Sequence, residues 1–237
     1  MKDGMGATRR VMPHVSDVRQ LFREVRNDPH HRVNGTIEVN GLQFVADEPK
    51  IFGEVNETYV ARELAWYESM SLDPEDIEGK TPAIWQQIKS TDGLINSNYG
   101  YLIWSNQNGN QYQHVLNELL TAPGSRRAEM VYNRPTIHTD AYTDGMQDFI
   151  CTNAVVYELR GDQLSAIVQM RSNDVVFGYR NDYAWQRYVL SRLVDDINSS
   201  SLLDYPVHTG DIVWSAASLH VYSRHWHLIG DDVQEDL

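Results

Sequence analysis

Apolar side chains recur along this chain in two periods. Trp185, Val189, Leu193 and Ile197 come at every fourth position, with Arg187, Arg192 and Asp196 off that stripe, which predicts a helix following Asp182. Val60, Leu64 and Tyr67 predict a helix over about Thr58–Ser69. Val115, Leu116 and Leu119 predict another over Gln111–Leu120, stopped by Pro123-Gly124. Thr152–Leu159 and Leu164–Met170 read as strands joined across Arg160-Gly161-Asp162, a hairpin. Asp211–Ser215 and Leu219–Tyr222 read as two further short strands. Thr36–Val39 and Leu42–Val45 flank Asn40-Gly41, a pair that favours a type I′ hairpin. No repeat or long linker interrupts the pattern. It predicts one α/β (α+β) domain over residues 1–237, with polar ends at Met1–Arg10 and Asp231–Leu237 that fray.

Composition narrows the function classes. Hydrophobic residues make up 41% of the 237, enough for a sizeable core. Lys and Arg number 20 against 33 Asp and Glu, a formal charge of −13, which excludes a general nucleic-acid coat but not a local arginine pocket for one phosphate. The single cysteine forms no intramolecular disulfide and fits a reducing, cytoplasmic compartment. No apolar run approaches roughly 18 residues, so no membrane span is expected. Met1–Arg10 has no apolar segment behind its charges and does not read as a secretory signal.

Several residues are candidates for chemistry. Cys151 enters a predicted strand, where it is either a small buried hydrophobe or a nucleophile whose thiolate is favoured by nearby positive charge. Arg171 supplies such charge from across the hairpin, inside an otherwise apolar strand where an unpaired charge is costly. Arg126-Arg127 follows the third helix and reads either as a solvated turn or as a bidentate phosphate clamp. His220 and Tyr222 share one face of a strand, which suits two hydrogen bonds to one ligand and suits an ordinary half-exposed strand equally well. His220, His225 and His227 carry no accompanying cysteine or carboxylate pattern, so no metal is expected.

Taken in order, these segments resemble the thymidylate synthase superfamily. The resemblance is carried by Arg62-Glu63-Leu64-Ala65-Trp66-Tyr67, Ile84-Trp85, Asn98-Tyr99-Gly100, Ser125-Arg126-Arg127, Cys151, Arg171-Ser172-Asn173-Asp174, Gly178 and His220-Val221-Tyr222, from about Arg32 to His227. A narrower set is similar to the deoxycytidylate-hydroxymethylating branch found in T-even-type bacteriophages: Phe44-Val45-Ala46-Asp47-Glu48-Pro49, Ile95–Gly100, Met170–Gly178, Arg180–Gln186 and Ser218–His225.

The resemblance implies a mixed sheet packed with helices, paired sheet to sheet in a homodimer. It implies an enzyme that uses 5,10-methylenetetrahydrofolate as co-substrate and works in the host cytoplasm where the gene is viral, with a possible place in a nucleotide-synthesis complex. Cys151 matches the nucleophile that attacks carbon 6 of the pyrimidine. Arg171 and Ser172, joined by Arg126 and Arg127 of the partner subunit, match the phosphate clamp, with Asn173 beside them. Arg32 or His31 stands where the synthases carry a further phosphate-binding arginine. Glu63 matches a glutamate that orders water and relays protons, although its position alone also suits a solvent-facing helix residue. Tyr99 matches a tyrosine assisting proton loss at carbon 5. His220 and Tyr222 match the pair on the sugar 3′-hydroxyl, and Trp85 and Asp174 match residues on the folate side.

Asp182 stands where thymidylate synthases carry an asparagine that reads uracil. Sharing a proton, an aspartate pairs with cytosine instead, through ring nitrogen 3 and the exocyclic amine, although at the start of a helix it also reads as an N-cap. The implied substrate is therefore dCMP rather than dUMP or CMP, and the narrower resemblance implies hydroxymethylation, with water in place of the hydride that would give a methyl product. Glu63 and Asp174 are expected to hold that water. The nucleophile sits in Ile150-Cys151-Thr152 instead of the synthases' Pro-Cys-His, and the chain ends soon after His227, so the segment that closes over folate is expected to be short.

Overall fold

The first element of the computed structural model, which describes residues 12–230, is a helix the periodicity did not reveal. Helix α1 (Val15–Val25) buries Val15, Val18 and Phe22 and is opened by Asp17, whose carboxylate accepts the His14 amide. Then come β1 (Arg32–Val33), β2 (Thr36–Val45), α2 (Glu57–Ser69), α3 (Ala83–Ile88), α4 (Tyr99–Trp104), α5 (Gln111–Thr121), β3 (Glu129–Val131) and α6 (Ile137–Asp140). The chain continues through β4 (Thr152–Arg160), β5 (Gln163–Met170), β6 (Asn173–Asp174), α7 (Gly178–Ser200) and β7 (His208–Tyr222). The ends expected to fray lie outside the described residues.

The strands form one mixed sheet in the order β1-β2-β7-β5-β4-β3, with β6 also on β7. β5 and β7 run parallel, joined by α7 as the crossover, and the hairpin β4–β5 turns at Gly161 (φ +62°) as expected. The predicted stripe of α7 is the core: Trp185, Val189, Leu193 and Ile197 are all buried. The helix nevertheless begins at Gly178, so Asp182 is not its N-cap. Asp174 serves the amides just ahead of it, accepting from Val176 and Phe177.

Two expected features of the sheet are corrected by one line of skipped pairs. Asn40-Gly41 does not reverse the chain: β2 is a single strand whose register on β7 passes straight across Gly41, from Asn40 opposite Ser218 to Leu42 opposite Ala216. The two short strands expected at 211–215 and 219–222 are likewise one strand, β7. The interruptions line up. Gly41 (φ +65°) faces Ala217, where no pair forms. Between Met170 opposite Ala216 and Asn173 opposite Leu219, the pairing of β5 and β6 with β7 keeps its register but skips Arg171 and Ser172. The Arg171 amide donates to the Cys151 carbonyl (2.9 Å) at the entry of β4. Arg171 thus lies just past β5 rather than inside it, in a break that crosses the sheet and ends at Cys151.

Helices α2 and α4 touch backbone to backbone. A Cβ on Gly100 would stand 1.8 Å from the Tyr67 carbonyl oxygen, with Trp104 also within 3 Å. Glycine is the residue that permits this approach. Gly100→Ala is expected to push the helices apart at a cost of about 3 kcal/mol, seen as a Tm lowered by several degrees in calorimetry. An unchanged Tm would mean that the crossing relaxes freely.

Candidate active site

The break at Arg171 collects polar groups that a regular sheet would keep apart. Arg171 Nε donates to the Ile150 carbonyl (3.0 Å) and Nη2 to the Phe149 carbonyl (2.5 Å), with Cys151 Sγ 3.7 Å from Nη2. The guanidinium also stacks over the Phe149 ring at 4.6 Å. The arginine is therefore held by the segment carrying the cysteine. Cys151 is half-buried, and burial pushes its thiol up to about 11; Arg171 pulls it down while Asp182 and Asp148 add to the rise. The resting thiol is protonated.

Helix α2 turns a slightly different face inward from the one its apolar stripe suggests. Glu63 and Trp66 are buried beside Val60 and Tyr67, while Leu64 lies at the margin. At 4% exposure Glu63 is not a solvent-facing residue. Burial pushes its carboxyl up to about 7, against a hydrogen bond from Tyr59 and the charge of Arg180. Tyr99 opens α4 under the Asn98 cap, and its hydroxyl oxygen accepts from Thr152, the residue after the cysteine (3.0 Å). Asp182 lies half-buried in the first turns of α7, its Oδ2 accepting from Asn173 Nδ2 at 2.7 Å. Burial first, then the charge of Glu63, push its carboxyl up to about 8; Asn173 and Tyr99 hold it from going higher. Asp182 thus links Glu63 on one side to Tyr99 and Cys151 on the other, and Arg171 completes the group at the cysteine.

The remaining candidates divide. His220 is buried and packs edge-on against the half-exposed Tyr222 ring at 5.1 Å, with burial lowering the imidazole's pKa. Asp174 pairs with His220 across β6 and β7, both its oxygens already accepting backbone amides. Ser172 sits half-buried in the break. Trp85 reaches the group through Tyr59, donating from its indole to the Tyr59 hydroxyl (3.2 Å). Arg32 stacks on Trp226 at 4.2 Å, and His31 bonds the Glu38 carbonyl. Arg126 and Arg127 are exposed, Arg127 paired with Glu118 at 2.9 Å, and neither is hydrogen-bonded to Cys151, Arg171 or Asp182 of its own chain. Among the described residues no cluster of His, Cys, Asp and Glu is placed to hold a metal ion.

Buried polar atoms without partners mark where a ligand's groups are wanted. Four are Asn173 Oδ1, Asn181 Oδ1, Arg180 Nε and His225 Nδ1, all on residues flanking Asp174 and Asp182 or facing their charges. Sequence reading missed Asn181, Arg180, Tyr59 and the buried Asp148. Asp148 accepts from Ser97 and the Asn96 amide and so ties the loop before Tyr99 to the loop before Cys151. Tyr59 had a signal, standing one helical turn before Glu63.

Comparison with known proteins agrees with this geometry. The family model described as thymidylate synthase matches residues 51–236. The deoxycytidylate 5-hydroxymethyltransferase of Enterobacteria phage T4 is 55% identical over 195 residues, 82% of this chain and 78% of that protein. The thymidylate synthase of Bacillus atrophaeus is 29% identical over 173 residues, 69% of this chain and 70% of that one. Among solved structures, T4 phage thymidylate synthase aligns over 93% of this chain and 81% of that chain, with TM-score 0.73 at 17% identity. A cysteine held against an arginine at a break in a mixed sheet, with buried carboxylic acids facing it, therefore belongs to a lineage already defined by sequence: this chain is a member of the thymidylate synthase family.

Proposed function

We propose that this protein is a deoxycytidylate 5-hydroxymethyltransferase, converting dCMP, 5,10-methylenetetrahydrofolate and water to 5-hydroxymethyl-dCMP and tetrahydrofolate. The observation that carries the reading is Asp182, a carboxylic acid with a pKa of about 8 beside the cysteine. At neutral pH it holds its proton. A neutral acid can donate to ring nitrogen 3 of cytosine while its carbonyl oxygen accepts from the exocyclic amine; uracil, with a donor at nitrogen 3, reverses that pattern. The same donation draws electron density from the ring and favours attack at carbon 6.

The sulfur of Cys151 adds to carbon 6, and carbon 5 bonds the one-carbon unit of the folate, which departs as tetrahydrofolate when the carbon 5 proton is lost and leaves an exocyclic methylene. Tyr99, its oxygen accepting from Thr152 and its hydroxyl hydrogen-bonded to Asp182, serves the removal of the carbon 5 proton. Glu63, poised near neutrality, orders the water whose oxygen joins the exocyclic carbon as the Cys151 sulfur leaves. Arg171 and Ser172 hold the phosphate, with Asn173 and Asp182 at the base and His220 and Tyr222 at the sugar. Trp85 and Asp174 line the folate side.

Incubating the protein with dCMP, dUMP or CMP and the folate, with products identified by mass, tests this directly. The expected product is heavier than dCMP by one hydroxymethyl unit, with no dihydrofolate formed. A methyl product with dihydrofolate would instead mark hydride transfer.

The working unit in this reading is a homodimer in the cytoplasm. Val45, Val213, Ile167 and Val156 make a half-buried apolar row across four strands, on the face turned away from α7, which suits a second sheet laid against it. The exposed Arg126 and Arg127 then complete the partner's phosphate site. Among the described residues no helix is long and apolar enough to cross a membrane. Mixing a Cys151→Ala chain with an Arg126→Ala/Arg127→Ala chain is expected to restore turnover that neither variant has alone, because one of the two sites then carries every group. No recovery in a mixed dimer confirmed by mass spectrometry would place both arginines in their own subunit.

A further inference from the structure

The geometry points to Tyr59 as a positioning residue: a one-way hydrogen-bond chain from the Trp85 indole through the Tyr59 hydroxyl fixes Glu63 Oε1 as an acceptor and leaves Oε2 as the oxygen that exchanges a proton. An indole N–H only donates, so Trp85 Nε1 gives its hydrogen to the Tyr59 oxygen at 3.2 Å. The single tyrosine proton is then directed to Glu63 Oε1 at 2.6 Å. Burial and the Glu63 charge hold the tyrosine in its protonated form, so the direction does not reverse. Among the described residues none donates to Oε2. The indole is itself held, packed on Trp66 at 5.5 Å between ring centres. The other ionisable groups that face Glu63 are Tyr67 on α2 and Arg180 and Asp182 on α7, while Arg62 lies nearer the Tyr59 ring, at 5.6 Å. None of these supplies a second fixed donor to the carboxyl.

The inference rests on reading Glu63 as the proton-handling carboxyl, and the test separates the two. Infrared titration of the whole protein, with the Glu63→Gln spectrum subtracted, isolates the Glu63 carboxyl band without any turnover. Tyr59→Phe removes the donor to the anion, so the midpoint is expected to rise by about one pH unit or more. Trp85→Phe is expected to move it the same way by less. In the dCMP assay the limb of the pH profile governed by Glu63 moves up in parallel, and kcat falls more than KM changes. A Tyr59→Phe midpoint matching the unsubstituted protein, with native circular dichroism, would overturn the chain. Full turnover by Glu63→Gln would overturn its catalytic purpose, whatever the infrared midpoint.

Discussion

Replacing Cys151 with alanine is expected to lower turnover of dCMP by at least about 10⁴-fold while leaving nucleotide binding within a few-fold of the original. Covalent attack at carbon 6 has no substitute in the site. The phosphate contact proposed for Arg171, by contrast, does not depend on the sulfur, because Arg171 is anchored on the carbonyls of Phe149 and Ile150. Product formation followed by mass, with dCMP binding measured by calorimetry, separates the two effects. Substantial turnover without the thiol would sink the mechanism. With its thiol near 11, the free protein is also expected to react slowly with iodoacetamide at neutral pH, at a rate that climbs toward pH 11 as thiolate forms. In the proposed mechanism, activation of Cys151 therefore belongs to the substrate complex.

The second large effect concerns the choice of base. Asp182→Asn is expected to lower kcat/KM for dCMP by about 10³-fold or more, and to raise the ratio of dUMP to dCMP turnover by at least as much. Asparagine offers an amide but cannot pass a proton toward ring nitrogen 3. Asn173 Nδ2, donating to this position at 2.7 Å, also favours an oxygen on its side and so fixes which way the amide lies. The pH profile carries the same signature. In the proposed reading the acid form of Asp182 is the active one, so dCMP turnover by the unsubstituted protein is expected to fall as pH rises through about 8. That limb should vanish when Asp182→Asn acts on dUMP. Retained preference for dCMP in the variant would remove Asp182 from base recognition.

How much of this was legible in the sequence follows from what each residue depends on. The stripe of α7 and the β4–β5 hairpin were readable because one buried face imposes its period on them. Asn40-Gly41, the gap between 215 and 219, and the apparent placing of Arg171 inside a strand misled for one shared reason. Each marks the line of skipped pairs that crosses the sheet, and an interruption within paired strands resembles a turn until the partner strand is known. Cys151 and Arg171 stood out by residue type. Glu63, Tyr99 and Asp182 were recognised only through the ordered resemblance, since what makes them reactive is burial among groups distant in the chain. The apolar positions on α2 left Glu63 at the edge of the inward face, and although Tyr59 stands one turn before it, nothing local foretold that Arg180 of α7 would face it as well.

The line of skipped pairs from Gly41 through Ala217 and Arg171 to Cys151 ties the proposed nucleophile to positions on distant strands. Gly41 stands at the far end of that line, in a conformation that side chains with a Cβ rarely adopt, although open space lies where a Cβ would go. A branched side chain there would be accommodated by shape but resisted by the backbone, and flattening β2 is one way to relieve the strain. The unpaired positions of neighbouring strands line up, so a shift of one strand is passed to the next through the pairs on either side of that line. Loss of activity in natural or laboratory variants can thus originate three strands from the chemistry, in a protein whose every ligand-binding side chain is intact.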